Sequence, residues 1–141
     1  MDLSSVSLID VVGRLALATG FGALIGFDRE YSKKAAGLRT NMLVALGAAM
    51  FVVAPIQSGM AESDVNTMGR VIQGIVTGVG FVGAGSILQE DRVRGLTSAT
   101  AVWISASAGV AAGLGLWEVG LIGIGFALII LRVIKWAEKR M

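Results

Sequence analysis

Three polar clusters interrupt a chain that is otherwise strongly apolar. Their charged groups can form ion pairs, and their hydroxyl and amide groups can bind ions or polar ligands. Helix capping accounts for about one such residue per helix, whereas the last cluster alone holds three. We therefore expect the clusters to meet in one polar site. Their members are Asp28, Arg29 and Glu30; Arg39, Thr40 and Asn41; and Thr97, Ser98 and Thr100.

Carboxylates near these clusters offer the oxygen ligands that Mg²⁺ prefers; they are Asp28, Glu30, Glu90 and Asp91. Each has arginine neighbours, so salt bridges between loops are the simpler interpretation, and we predict no metal site and no cofactor. The chain has no His and no Cys, which excludes His or Cys zinc sites, thiol nucleophiles and Ser-His-Asp triads. No nucleophile–base pair is visible, so we do not expect an enzyme.

Further polar residues lie at or inside apolar runs, where they are costly and mark function by default. Arg14 lies about two turns into the first run, and Asp10 is on the same helix face, four residues earlier. Arg14 is therefore either part of the polar site, neutralised by Asp10, or extended to the interface. Arg70 opens the third run, and Gln73, one turn deeper, can hydrogen-bond across helices.

The composition places these residues in an integral membrane protein. Hydrophobic residues make up 55% of the chain, charged residues 16%, and the mean hydropathy is +0.77. Soluble domains have about 25% charged residues, and a membrane span needs about 20 apolar ones. We predict an all-α single domain over 1–141 in a lipid bilayer, with no nucleic-acid partner. Its five transmembrane helices are expected near 8–27, 41–56, 70–88, 96–113 and 119–134.

Positive charges lie mostly on one side of these spans. Of the 12 Lys and Arg residues, four follow the first span, two follow the third and four lie at the C-terminal end. Because loops rich in Lys and Arg stay in the cytoplasm, we predict a periplasmic N-terminus and a cytoplasmic C-terminus. Five spans, an odd number, agree with this orientation.

Glycines and other small residues predict which helices pack closely. The pairs Gly22/Gly26 and Gly74/Gly78 have the small-xxx-small spacing of membrane helix interfaces. The third span also contains Gly80, Gly83 and Gly85, and the fourth has a face of Ala and Ser. We therefore expect the third and fourth spans to form the core, and the small faces to support a homodimer.

The chain resembles the N-terminal membrane domain of the MgtC/SapB family, and the match runs nearly end to end. The residues that carry it are Arg14, Gly22–Glu30, Ala36–Leu43, Arg70, Gly78–Gly85, Val93–Ala99 and Trp103. The resemblance implies a bacterial inner-membrane protein involved in growth at low Mg²⁺, in virulence for pathogenic members, and for some members in restraint of the rotary ATP synthase. Many members carry a soluble domain after the last span, and this sequence ends at Met141.

Two functions remain open at this point. The first is a non-enzymatic regulator that acts by contacting another membrane protein, such as a membrane subunit of the ATP synthase. The second is a small transporter or channel, with a cytoplasmic-facing cavity lined by polar residues. A transporter needs a continuous hydrated cavity, whereas a regulator can have its polar groups paired internally. The lining predicted for the cavity is Arg14, Asp28, Glu30, Arg39, Asn41, Thr97 and Ser98.

Overall fold

The computed structural model of the protein describes residues 5–88 and 95–141, all of them in helices or short connections. The helices are α1 (Leu8–Tyr31), α2 (Leu38–Gln57), α3 (Met60–Ser63), α4 (Thr67–Leu88), α5 (Leu96–Gly113), α6 (Trp117–Ile129) and α7 (Lys135–Arg140). A π-helical segment, Ile130–Ile134, joins α6 to α7. Within these two described ranges, five helices, counting α6 through α7 as one, are long and apolar enough to cross a membrane. The all-α prediction with five spans is confirmed.

Several helices are longer than the apolar runs that predicted them. The first helix continues past Phe27 to Tyr31, and the last continues to Arg140. Charged residues end a hydrophobic run, but they are good or tolerable helix formers and do not end the helix itself. The α1 extension places the acid–base–acid cluster on the last turns of a rigid helix.

The core lies where α1, α2 and α5 meet. Of the α5 residues that could cross a membrane, 56% are buried. This agrees with the predicted central position of the fourth span. Close approach is possible because α5 presents small side chains and glycines. A Cβ on Gly109 would collide with the Ala45 carbonyl oxygen, and a Cβ on Gly113 would lie 3.0 Å from the Ala49 carbonyl oxygen.

The α1–α2 contact uses the first predicted glycine pair. A Cβ on Gly22 would lie 2.5 Å from the Asn41 carbonyl oxygen, and one on Gly26 would lie 2.7 Å from Leu38 Cα. Both obstacles are backbone or Cα atoms, which cannot rotate away. Glycine is therefore required at both positions for these helices to pack at this distance.

The prediction that α4 forms the core together with α5 is only partly right. Met68 and Ile75 of α4 are buried in a cluster with residues of α2 and α5, but most of α4 is exposed. Of the α4 residues that could cross a membrane, only 11% are buried. Cβ atoms added to most of its glycines would meet nothing within 4 Å. Those glycines are Gly69, Gly74, Gly78, Gly80 and Gly85, whereas a Cβ on Gly83 would lie 3.3 Å from the Ala99 Cβ. Ile75 is buried in the cluster that α4 shares with α2 and α5, and Val79 packs against it.

An apolar groove of about 510 Å³ separates α4 from α2. Gly74 and Gly78 form part of its α4 wall and Gly47 and Phe51 part of its α2 wall. Of the described residues that line it, Arg70 is the one that is charged. The glycines that were expected to draw α4 into the bundle thus face an open groove.

Candidate functional site

Glu30 stabilises the start of α2. Its Oε2 atom accepts a hydrogen bond from the Leu38 backbone N–H at 3.0 Å. A Cβ on Gly37, the residue before the helix, would collide with the same carboxylate. A negative charge at a helix N-terminus satisfies free N–H groups and complements the helix dipole. Glu30 of the first predicted cluster therefore caps α2 at Leu38, the residue directly before the second predicted cluster.

Arg29 links α1 to α5 inside the bundle. Its Nη2 donates to Ser98 Oγ at 3.0 Å, and the two residues are only 4% and 2% exposed. Among the described residues, Arg29 Nε has no hydrogen-bond partner. The first and third clusters meet through this bond. It lies between packed helices and not in an open pocket.

Asn41 links α2 to α5 and is fully buried. Its Oδ1 accepts from Ser105 Oγ at 2.7 Å, while its Nδ2 donates to the carbonyl oxygens of Ala36 at 3.2 Å and Gly37 at 2.8 Å. Asn41 therefore joins two helices and also satisfies carbonyls that precede α2. Ser105 was not among the predicted site residues, although it lies on the small face of the fourth span.

Asp28 is paired with a residue that sequence reasoning missed. Arg132 Nε donates to Asp28 Oδ1 at 2.9 Å, and one turn further Lys135 Nζ donates to Ser32 Oγ at 3.3 Å. The position of Arg132 inside the last predicted span was the available signal, because an intramembrane arginine needs a partner.

Arg14 lies at the opposite end of the bundle and does not join the other clusters. Its Nη1 donates to the Gly113 carbonyl oxygen at 2.8 Å, at the C-terminus of α5. A cation there binds the last free carbonyls and favours the negative end of the helix dipole. Between the described residues Asp10 and Arg14 there is no ion pair, so neutralisation by Asp10 is not what the structure shows.

Arg70 is paired near the same end as Arg14. Its Nη1 lies 3.6 Å from Asp64 Oδ2; the Arg70 side chain is largely exposed and that of Asp64 is partly exposed. Such a pair contributes about 0–1 kcal/mol in water. The contact ties the start of α4 to the connection that precedes it.

The remaining predicted residues stay at the surface. Arg39, Thr40, Gln73, Thr97 and Thr100 are exposed. Within the described chain their side chains make one bond, from Thr100 Oγ1 to the Thr97 carbonyl oxygen at 2.9 Å. The candidate metal ligands Glu90 and Asp91 lie outside the described residues. The buried polar groups therefore connect helices. Of the candidate metal ligands that are described, Asp28 pairs with Arg132 and Glu30 accepts from the Leu38 N–H.

The sequence profile of the MgtC family matches residues 15–140. The chain belongs to the MgtC family. It is 46% identical over 140 residues to protein SrpB of Synechococcus elongatus, covering 89% of this chain and 75% of SrpB. It is 48% identical over 102 residues to protein MgtC of Salmonella typhimurium and 50% identical over 103 residues to protein MgtC of Brucella abortus.

These MgtC alignments cover 72% of this chain and 42% of each relative, so the chain spans about two fifths of their length. No solved structure matches the chain. The MgtC family match spans the residues of the Arg29–Ser98 and Asp28–Arg132 contacts and begins one residue after Arg14. Family membership and five apolar helices identify a multi-pass membrane protein.

Proposed function

We propose that this MgtC-family protein is a non-enzymatic regulator in the bacterial inner membrane that acts by contacting another membrane protein. The observation that carries the proposal is that its buried polar side chains form hydrogen bonds within the helix bundle. Arg29, Asn41 and Ser98 bond to partners within the bundle, and none of the three lines the groove between α2 and α4. A transporter would need such groups along a hydrated path.

The proposed setting is adaptation to low Mg²⁺, with a membrane subunit of the rotary ATP synthase as the partner. This part rests on the family resemblance. The orientation proposed with it, N-terminus outside, rests on the positive-inside rule. It places Arg39 at the cytoplasmic surface, where its exposed side chain has no bond to another described residue and can contact a partner.

The test is ATP-driven proton pumping in inverted membrane vesicles from cells that lack other family members. We expect the wild-type protein to slow ATP-driven acidification by about fivefold, the weaker end of typical coupling between protein sites. Arg39→Ala should remove most of this inhibition, because it deletes an exposed cation without breaking a described contact. Lys34→Ala is the matched control and should inhibit like wild type.

The gradient formed by respiration in the same vesicles must stay intact for this result to count. Pumping unchanged by the wild-type protein would contradict regulation of the ATP synthase by this chain. Faster collapse of both gradients would indicate a leak and favour the transporter alternative. In that case Arg39→Ala should abolish the flux if Arg39 lines the path.

We also propose that α4 mediates self-association. Its outward face carries small or hydrogen-bonding residues at helical spacing, all of them exposed, and they are Gly69, Gln73, Thr77, Gly80 and Ala84. This differs from the aliphatic surface that α6 presents. Small residues permit close approach of membrane helices, and the amide of Gln73 can both donate to and accept from its own copy across a two-fold axis.

A single cysteine tests this contact cleanly because the chain has none. Gln73→Cys should form a covalent dimer on mild oxidation in native membranes, since a disulfide requires Cα atoms about 4.4–6.8 Å apart. Ile122→Cys, on the exposed face of α6, is the control and should stay monomeric. Equal cross-linking at the two positions would indicate random collision, and none at Gln73 would remove this interface.

A further inference from the structure

Two polar contacts form a seam between α1 and the end of the last span. Asp28 and Ser32 lie one turn apart at the end of α1, and Arg132 and Lys135 lie one turn apart on the π-helical segment and α7. The contacts run in parallel, Asp28 to Arg132 at 2.9 Å and Ser32 to Lys135 at 3.3 Å. We call these four residues the basic seam.

The cations of the basic seam have more donors than the described residues accept. The Arg132 side chain is 63% exposed and uses only Nε for Asp28, which leaves both terminal nitrogens. The Lys135 ammonium has three N–H donors, of which one is directed at Ser32 in the described structure. These donors suit an anion with several acceptor oxygens, and a phosphate group has that form.

Charge at the basic seam is positive overall. Asp28 is the carboxylate within it, while Arg132, Lys135 and the adjacent buried Arg29 are cations. Glu30 is engaged at the start of α2, and Glu138 makes no ion pair with the seam within the described chain. The four seam residues therefore carry one net positive charge, and the adjacent Arg29 adds a second.

The residues next to the basic seam are of the types found at a membrane interface, where lipid headgroups lie. Trp136 is exposed beside Lys135, and the Arg140 guanidinium lies 4.2 Å from its ring centre. Exposed Trp is typical of the membrane interface. On the membrane side of the seam, Ile130 and Val133 are also exposed and offer an apolar surface to an acyl chain. A free phosphate ion would have no use for that surface.

We propose that the basic seam binds the phosphate group of an anionic phospholipid, with Arg132 and Lys135 as its ligands and the acyl chains along Ile130 and Val133. Basic pockets between transmembrane helices bind anionic headgroups in this way. The site is independent of the regulatory function proposed above, because it requires neither Arg39 nor the face of α4.

The test uses Trp136 as a reporter in bilayers that contain brominated lipids, which quench a nearby indole. Trp103→Phe and Trp117→Phe leave a single tryptophan, and both replaced side chains are exposed. We expect brominated phosphatidylglycerol to bind about 30-fold more strongly than brominated phosphatidylcholine, because each of the two basic ligands contributes about 1 kcal/mol near an anionic lipid. The double variant Arg132→Gln/Lys135→Gln should bring the ratio close to one.

Two further variants show whether the lipid preference arises from general surface charge and whether its loss could result from unfolding. Lys33→Gln/Lys34→Gln removes two positive charges near the same end and should keep the lipid preference. Arg132→Lys/Lys135→Arg keeps the charges and should also keep it. Equal quenching by the two lipids in the wild-type chain, or loss of preference in the Lys33/Lys34 variant, would overturn the proposal. Loss of preference on adding soluble glycerol phosphate would indicate a free-phosphate site and overturn it too.

Discussion

Gly22→Ala is expected to lower the free energy of unfolding by about 3 kcal/mol, at the upper end of overpacking costs. The new Cβ would lie 2.5 Å from the Asn41 carbonyl oxygen and 2.8 Å from Met42 Cα. Because both atoms belong to the backbone of α2, relief requires the two helices to separate. Separation would also strain the hydrogen bond from Ser105 of α5 to Asn41, so the loss should extend beyond the α1–α2 contact.

Gly78→Ala is the matched control for this prediction. A Cβ there meets nothing within 4 Å, so the change should stay within about 0.5 kcal/mol. Both variants can be measured by reversible unfolding in mixed micelles, dilute enough to keep the protein monomeric. Equal destabilisation by the two substitutions would show that α4 packs as tightly as α1 and would contradict the arrangement described above.

Asn41→Ala is expected to cost about 3 kcal/mol, the upper end of the cost of leaving buried partners unsatisfied. The substitution removes the acceptor for Ser105 Oγ and the donor to the carbonyl oxygens of Ala36 and Gly37. Asn41 is fully buried and its hydroxyl partner is too, so water cannot replace these bonds without opening the bundle.

A double-mutant cycle with Ser105→Ala isolates the interhelical bond. Ser105→Ala alone should cost about 1 kcal/mol, the net value of a typical hydrogen bond, and the double variant should cost less than the sum of the two. Thr40→Ala, at the exposed position beside Asn41, serves as the control and should have little effect. Additive costs in the cycle would mean that the Asn41–Ser105 bond does not stabilise the bundle.

The predicted polar site illustrates what sequence patterns can and cannot resolve. The first and third clusters come together through the bond from Arg29 to Ser98, and Glu30 of the first cluster caps α2 at Leu38, next to the second. The sequence could not distinguish a pocket from a set of interhelical bonds. That distinction depends on whether neighbouring helices close the space around each group, and Thr97 and Thr100 remain outside while Ser98 is enclosed.

The sequence by itself determined the number of spans, their approximate positions and the close packing at Gly22 and Gly26. These follow from local properties, namely a sufficiently long apolar run and a surface without side chains. Only the tertiary structure decided that Gly74 and Gly78 face a groove, that Arg14 binds the carbonyl of Gly113, and that Asp28 pairs with a residue 104 positions away. Which faces meet depends on the volumes of side chains on several helices at once, and no single helix contains that information.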